Sequence, residues 1–196
     1  MELPAERLEA GGWSLVREES ETLFGLSAVR VLGHTRLYED RSVRAAITKA
    51  TGLDRTWRFF FATRLEFEPP LPSGGGPVAV APTVRAEARR SFGGDLRERG
   101  LVDVERTTTG RLRVESGDRA HLQGYRGRLP LPVEAVDGVD VAGWLAVWTV
   151  DGAFRVAGGA YPEGLPAVAD ALGAGALGPT AADCREELLD LIRGVN

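Results

Sequence analysis

Apolar and polar positions alternate most regularly in the segment 56–68, "TWRFFFATRLEFE", which predicts the central strand of the fold. Successive side chains of a strand point to opposite faces, so this segment has one largely apolar face and one mixed face. The apolar face carries Trp57, Phe59, Phe61, Thr63, Leu65 and Phe67, and the mixed face carries Arg58, Phe60, Ala62, Arg64, Glu66 and Glu68. We therefore expect Phe61→Ala to cost about 3–5 kcal/mol of unfolding free energy. Phe60→Ala should cost clearly less unless helices also cover the mixed face.

Other alternating segments predict further strands at 13–18, 24–38, 121–131, 144–150 and 154–160. Two more strands follow Leu101 and form a hairpin around the turn "TTTG", residues 107–110. The segments 144–150 and 154–160 are joined across Asp151 and Gly152, a pair typical of a type I′ turn. Most of the strands are therefore separated by short turns, which favour antiparallel pairing.

Helical periodicity is found near the start, in the middle and at the end of the chain. It predicts helices at 3–10, 40–52, 83–99, 166–172 and 180–195. Asp40 is the predicted N-cap of the second helix, and Thr180 with Asp183 resembles a capping box for the last one. The pattern predicts a single α+β domain, 1–196, with one antiparallel β-sheet of six or more strands packed against flanking helices. Regular β-α-β alternation is missing, which argues against doubly wound nucleotide-binding folds.

Composition restricts the partners and the compartment. The chain has 196 residues, 43% of them hydrophobic, which is enough to bury a core without cross-links. The 24 basic and 28 acidic residues leave no strong positive charge for nucleic acid, and no apolar run is long enough for a membrane span. Cys184 is the only cysteine, so an intramolecular disulfide is impossible and we expect a reducing cytoplasm. At helical spacing its neighbours are apolar, so we expect a buried structural thiol.

Arginine supplies 23 of the 24 basic residues, and several arginines share a strand face in pairs. If these faces meet on one side of the sheet, they form a surface for a carboxylate, a phosphate or an acidic peptide. The candidate ligand-binding residues are Arg36, Arg58, Arg64, Arg126, Arg128 and Tyr38. The alternative is that these arginines pair with glutamates across strands and form an ordinary polar surface.

Few residues suit catalysis. His34 and Glu66 are the candidate acid–base groups, because both lie on predicted strands that carry these arginines. His34 and His121 are the only histidines, too few for a three-histidine metal site, and we predict no metal and no cofactor. The segment "SGGGP" lacks the lysine and hydroxyl of a phosphate-binding loop. A weaker alternative places an anion at the start of the third helix, near Thr83 and Val84, with Arg85 and Arg89.

Two segments, "TWRFFFATRLEFEPPL" and "GWLAVWTVDGAFRVAGGAYP", resemble those of uncharacterised conserved proteins of halophilic archaea, and the near absence of lysine agrees with that origin. The resemblance covers most of the chain and implies no known activity. By arrangement alone the domain is also similar to the Mog1/PsbP type of antiparallel sheet flanked by helices, whose members are often accessory or binding proteins.

Two functions are consistent with these patterns. The first is a non-catalytic cytoplasmic binding or accessory domain, since no nucleophile–base pair, metal site or phosphate loop is evident in the sequence. The second is a small-molecule enzyme that holds an anionic substrate on the arginine-lined sheet face, with His34 or Glu66 as the acid–base group. The expected partner is a small anionic ligand or an acidic protein, and neither nucleic acid nor membrane is expected.

Overall fold

A computed structural model describes residues 1–26, 29–72, 75–133, 136–175 and 177–196. The described elements are α1 (Ala5–Ala10), β1 (Trp13–Leu26), β2 (Val29–Asp40), α2 (Arg41–Thr51), β3 (Phe59–Glu68), α3 (Gly76–Glu98), β4 (Val102–Arg113), β5 (Arg119–Val133), β6 (Val136–Val150), β7 (Ala153–Pro162), α4 (Leu165–Ala171) and α5 (Ala181–Arg193).

All seven of these strands form one sheet in the order β1-β2-β3-β7-β6-β5-β4. Every neighbouring pair is antiparallel. The last strand in the chain, β7, lies at the centre between β3 and β6. The predicted α+β fold with one antiparallel sheet of six or more strands is confirmed.

Helices pack on both faces of the sheet. On one side, which we call the α3 face, Phe59, Leu65 and Phe67 of β3 pack with side chains of α2, α3 and α4. On the other side, the α5 face, Phe60 and Ala62 pack with side chains of α1 and α5. Each face therefore contributes its own half of the hydrophobic core.

The exception attached to the comparison of Phe60 with Phe61 applies, because helices cover both faces of the sheet. Phe60 lies on the predicted mixed face but is fully buried, at 0% exposure, because α5 covers that part of the sheet. Phe61 lies on the predicted core face but is only partly buried. The alternation itself was predicted correctly, whereas the burial of each face depends on where the helices dock.

Gly159 allows α5 to approach the sheet closely. A Cβ added to this residue of β7 would lie 2.1 Å from the carbonyl oxygen of Phe59 and 2.8 Å from Leu188 Cδ1 of α5. Real Cβ atoms do not approach other atoms so closely, so the position accepts no larger side chain without a shift of the backbone or the helix.

Local signals in the sequence predicted several boundaries correctly. The Asp40 side chain accepts a hydrogen bond of 2.9 Å from the Val43 amide at the start of α2. Thr180 and Asp183 form a reciprocal capping box at the start of α5. Asp151 and Gly152 have φ angles of 49° and 80°, as a type I′ turn requires.

Other boundaries were wrong. The strand predicted at 24–38 is divided between the end of β1, at Leu26, and β2, which begins at Val29. Residues 107–110, "TTTG", lie inside β4 and not in a turn, since β-branched threonines suit an extended strand. The chain instead reverses within residues 114–118, where Gly117 has a φ of 92° and its amide donates to the Val114 carbonyl.

The third predicted helix also begins earlier than expected, at Gly76 instead of Thr83. The amides of Thr83 and Val84 therefore lie inside α3, so the alternative anion site at a helix start near them is wrong. Ser73 and Gly74 of the "SGGGP" segment lie outside the described residues.

Candidate functional site

The predicted arginines do not form one surface, because α5 covers the middle of the face that most of them share. Arg58 is 3% exposed and lies beneath α5. Its guanidinium donates to Asp40 Oδ2 at 2.6 Å and to Glu187 of α5, and it stacks on the Trp13 ring at 5.0 Å. Arg58, directly before β3, therefore links that strand to Asp40 at the start of α2 and to α5, and it is not accessible to a ligand.

Arg126 and Arg128 lie at the end of the α5 face farther from His34. Arg126 pairs with Glu163 at 3.4 Å, and Arg128 lies 4.0 Å from Asp140. Both arginines are half exposed, as expected for ion pairs on a polar surface. Tyr38 is partly buried, with its ring centroid 6.1 Å from that of Phe60, so it belongs to the core.

The remaining predicted residues come together at the open end of the α5 face, on β1, β2 and β3. We call Ser20, His34, Arg36, Arg64 and Glu66 the His34 cluster. Its members line or border a shallow depression with a volume of about 250 Å³.

Three side chains of the His34 cluster form a hydrogen-bonded line across three strands. Ser20 Oγ lies 2.8 Å from His34 Nδ1, and His34 Nε2 lies 3.1 Å from Glu66 Oε2. An ionised carboxylate only accepts hydrogen bonds, so Nε2 carries a proton, and in neutral His34 Nδ1 accepts the proton of Ser20. This order, hydroxyl to imidazole to carboxylate, is the arrangement that activates a serine as a nucleophile.

Arginines flank this line. Arg64 donates to Glu66 at 3.3 Å, and Arg36 donates to Glu18 at 2.8 Å. The next residue along the sheet is Arg155 of β7, the cross-strand partner of Arg64. Among the described residues no carboxylate pairs with Arg155, although it is only 8% exposed.

Sequence reasoning did not select Ser20 or Arg155. Ser20 has no motif around it, and its role depends on the register that places it opposite His34. Arg155 stands alone among apolar and small residues of β7, and this isolation of a charged residue in a central strand is the signal that could have marked it.

A larger cleft lies on the α3 face, between α3 and the half of the sheet that contains β1, β2 and β3. Its volume is about 660 Å³, within the range of about 300–1,000 Å³ typical of small-molecule sites. We call it the α3 cleft. Its apolar floor and wall consist of Leu23, Phe24, Leu37, Phe59, Phe61, Leu65, Val84, Ala88, Phe92, Leu145 and Val156.

One polar pair lies on this floor. Thr35 Oγ1 and Thr63 Oγ1 are 2.8 Å apart across β2 and β3, and both residues line the cleft. Two hydroxyls that bond each other still offer free lone pairs and one rotatable proton. They therefore offer a polar contact on the cleft floor, and Ser91 of α3 also lines the cleft.

Charged side chains form the rim of the α3 cleft. Five carboxylates and three guanidinium groups line it: Glu19, Glu21, Glu87, Asp95, Glu98, Arg17, Arg90 and Arg99. Arg17 pairs with Glu19 at 3.3 Å, and Arg90 pairs with Glu87 at 3.2 Å. Arg99 lies over the Phe59 ring at 4.1 Å.

The other three carboxylates lie close enough to influence one another. Partial loss of solvent at the cleft wall raises the pKa of Asp95, although its side chain stays exposed; Arg99 opposes this effect, and the negative charges of Glu98 and Glu21 add to it. Glu21 belongs to β1 and Asp95 to α3, so these charges face each other across the cleft. The rim therefore has an excess of negative charge.

The sequence predicted only some of the residues that line the α3 cleft. The apolar face of β3 was predicted as core, and its one polar member, Thr63, marks the cleft floor. Alternating Arg17, Glu19 and Glu21 give β1 a charged face toward the cleft. Nothing local indicated that α3 would leave this part of the sheet open.

In the described part of the chain, no group of three or more His, Cys, Asp or Glu side chains is arranged to hold a metal ion. None of the helices described is both long enough and apolar enough to cross a membrane.

Comparison with known families identifies the chain as a member of one family. The model of a domain of unknown function, DUF6517, matches residues 1–196, and the chain belongs to that family. Neither the curated proteins nor the solved structures contain a match to the chain. The expected resemblance to a family of uncharacterised proteins is confirmed to that extent.

Proposed function

We propose that this protein is a small-molecule-binding domain whose ligand lies in the α3 cleft. The observation that carries the proposal is the combination of a 660 Å³ cleft with an apolar floor, one hydroxyl pair and a charged rim. Small-molecule sites are typically concave, mostly apolar and equipped with a few oriented polar groups.

The rim defines the class of ligand. Arg17 and Arg90 are each paired with a glutamate of the rim. Of the three rim arginines, this leaves Arg99 to balance the negative charges of Glu21, Asp95 and Glu98. A cationic group at the mouth would relieve the repulsion between them, while an apolar body would cover the floor. The ligand is therefore an amphipathic molecule with an ammonium or similar head group.

Binding of octylammonium, with octanoate as the oppositely charged comparison, tests this proposal. We expect saturable binding of octylammonium by titration calorimetry and weaker binding of octanoate. Ala88→Trp places a large side chain in the cleft and should abolish binding. Ala86→Trp is the matched control, because Ala86 is exposed on α3 and does not line the cleft.

Absence of saturable binding by the wild type would contradict the proposal, and so would equal binding by the two tryptophan variants. Stronger binding of octanoate would contradict the ligand class alone.

A second candidate function is an enzyme that acts on a small anionic substrate at the His34 cluster. The observation that favours it is the line from Ser20 through His34 to Glu66, at 2.8 and 3.1 Å. Ser20 would be the nucleophile, His34 the general base and Glu66 the group that orients His34. Arg36 and Arg64 would attract the anionic substrate.

Hydrolysis of 4-nitrophenyl hemisuccinate, an anionic ester, tests this candidate. We expect release of nitrophenol that both Ser20→Ala and His34→Asn reduce to the uncatalysed rate. A wild-type rate equal to that of Ser20→Ala would exclude the enzymatic function of this serine.

We also propose that the protein is a single domain and that it lies in the cytoplasm. One continuous sheet supports a single domain over 1–196, and the single cysteine supports a reducing cytoplasm. An acidic protein partner at the half-exposed arginines stays a prediction. The halophilic origin and the likeness to the Mog1/PsbP type also stay predictions.

A further inference from the structure

Arg155 presents an unusual arrangement for a buried charge. Its Nη1 donates to the Phe154 carbonyl at 3.3 Å, while its Nε, which is buried, has no hydrogen-bond partner. Buried arginines normally bond a carboxylate, because an unpaired charge in a poorly solvated place is costly. The described residues supply no such carboxylate.

The residues beside Arg155 also lack an acceptor. Its two cross-strand partners are Arg64 on β3 and Trp148 on β6. The buried indole Nε1 of Trp148 has no hydrogen-bond partner either. Directly opposed residues of neighbouring strands have Cβ atoms only about 4.5–5.5 Å apart. Unpaired donors and positive charge thus accumulate in one row of the α5 face.

The charges of the surroundings do not balance. Arg36, Arg64 and Arg155 supply three positive charges, of which Glu18 and Glu66 pair with the first two. Burial lowers the pKa of Arg155 most, and the positive charge of Arg64 lowers it further, while the negative charge of Asp151, which does not bond Arg155, opposes them. An anion would remove both penalties at once.

We propose that Arg155 and Arg64 form a binding site for a small oxyanion, the carboxylate or phosphate group of a ligand. Arginine presents several N–H donors in a planar fork that matches both groups. The depression of about 250 Å³ beside Arg64 is smaller than a typical ligand site and suits one head group. Arg36, Glu18 and Glu19 line it together with Arg64, whereas Arg155 does not line it and lies one strand further along the sheet. Ser20 and His34 line the same depression, so the oxyanion lies next to the hydrogen-bonded line.

This site lies on the opposite face of the sheet from the α3 cleft and does not depend on it. It shares its location with the second candidate function, but binding is measured without turnover. A failure to detect esterase activity therefore does not contradict the anion site. A failure to detect anion binding does not contradict the proposal that a ligand lies in the α3 cleft.

Titration with inorganic phosphate and, separately, with succinate tests the site, with amide chemical shifts as the readout and the ionic strength held constant. Saturable shifts near Arg64 and Arg155 are expected for at least one of the two anions. The anion that produces them distinguishes a phosphate ligand from a carboxylate ligand.

Arg64→Gln should weaken binding by roughly tenfold or more, since it removes charge-assisted hydrogen bonds to the anion. Arg155→Gln should abolish anion binding. If Arg155→Gln fails to fold, Arg64→Gln decides the test, because Arg64 is half exposed. Arg126→Gln is the matched control, because Arg126 is a half-exposed arginine at the far end of the same sheet face. No saturable shift with either anion, or equal weakening by Arg64→Gln and Arg126→Gln, would overturn the proposal.

Discussion

Phe60 and Phe61 are consecutive residues of β3, but they pack into opposite halves of the core. Phe60 is fully buried beneath α5, while Phe61 is partly exposed in the α3 cleft, with its ring centroid 5.7 Å from that of Phe92. We expect Phe60→Ala to cost about 3–5 kcal/mol of unfolding free energy, since the buried ring leaves a cavity. Phe61→Ala should cost clearly less, because water already reaches that ring.

Urea denaturation of the two variants measures this difference. A larger loss for Phe61→Ala would show that the α3 cleft is closed in solution and that Phe61 is the better packed ring.

Loss of Arg58 should strongly destabilise the protein. Arg58→Met would leave the Asp40 carboxylate, whose side chain is 2% exposed, without its 2.6 Å partner. Removing one member of a buried ion pair typically costs about 3–5 kcal/mol. Arg64→Met is the matched control on the same strand face, and its half-exposed pair should contribute no more than about 1 kcal/mol. Equal losses in chemical denaturation would mean that water replaces Arg58 at Asp40.

Asp95→Asn should stabilise the protein at neutral pH. The pKa of Asp95 is raised above its ordinary value of 3.8, first by partial loss of solvent at the cleft wall and then by neighbouring carboxylates. The folded state thus holds this proton more tightly than the unfolded chain, so ionisation of Asp95 costs stability as the pH rises through the raised pKa. The gain from Asp95→Asn should therefore be present at pH 7 and absent at pH 3.

Melting temperatures at pH 7 and pH 3 measure this effect. Glu186→Gln, on an exposed carboxylate of α5 outside the cleft, is the control. A lower melting temperature of Asp95→Asn at pH 7 would mean that the attraction of Arg99 outweighs the partial desolvation of Asp95.

The Cys184 thiol should not react in the folded protein. It is 1% exposed within the α5 core, and burial raises its pKa to about 11. Its reactive thiolate is therefore scarce at pH 8 as well as inaccessible. Labelling with a thiol reagent should be slow without denaturant and stoichiometric in guanidinium chloride. Rapid labelling of the native protein would show that α5 leaves the sheet readily.

Much of the fold was predictable because its determinants are local. Capping by Asp40 and the reciprocal bonds of Thr180 and Asp183 involve residues three positions apart, so the sequence alone determined both helix starts. The alternation along β3 and the burial of Cys184 follow equally from strand and helix periodicity.

Sequence close to each strand did not determine which parts of the two sheet faces are buried. Phe60 is buried because α5, formed by residues more than 120 positions later, docks on that face through the small Gly159. The α3 cleft exists because α3 covers only part of the other face. Docking of helices depends on the fit of whole surfaces, which no short window of sequence contains.

Register between strands decided the His34 cluster. A bulge in β1 shifts its pairing by one residue between Leu15, opposite Tyr38, and Arg17, opposite Leu37. Without this bulge Ser20 would lie opposite Gly33, and the shift places it opposite His34 instead. The sequence by itself determined that these strands alternate. Only the tertiary structure decided which side chains meet across them, because a slip of one residue turns every later side chain of the strand to the other face.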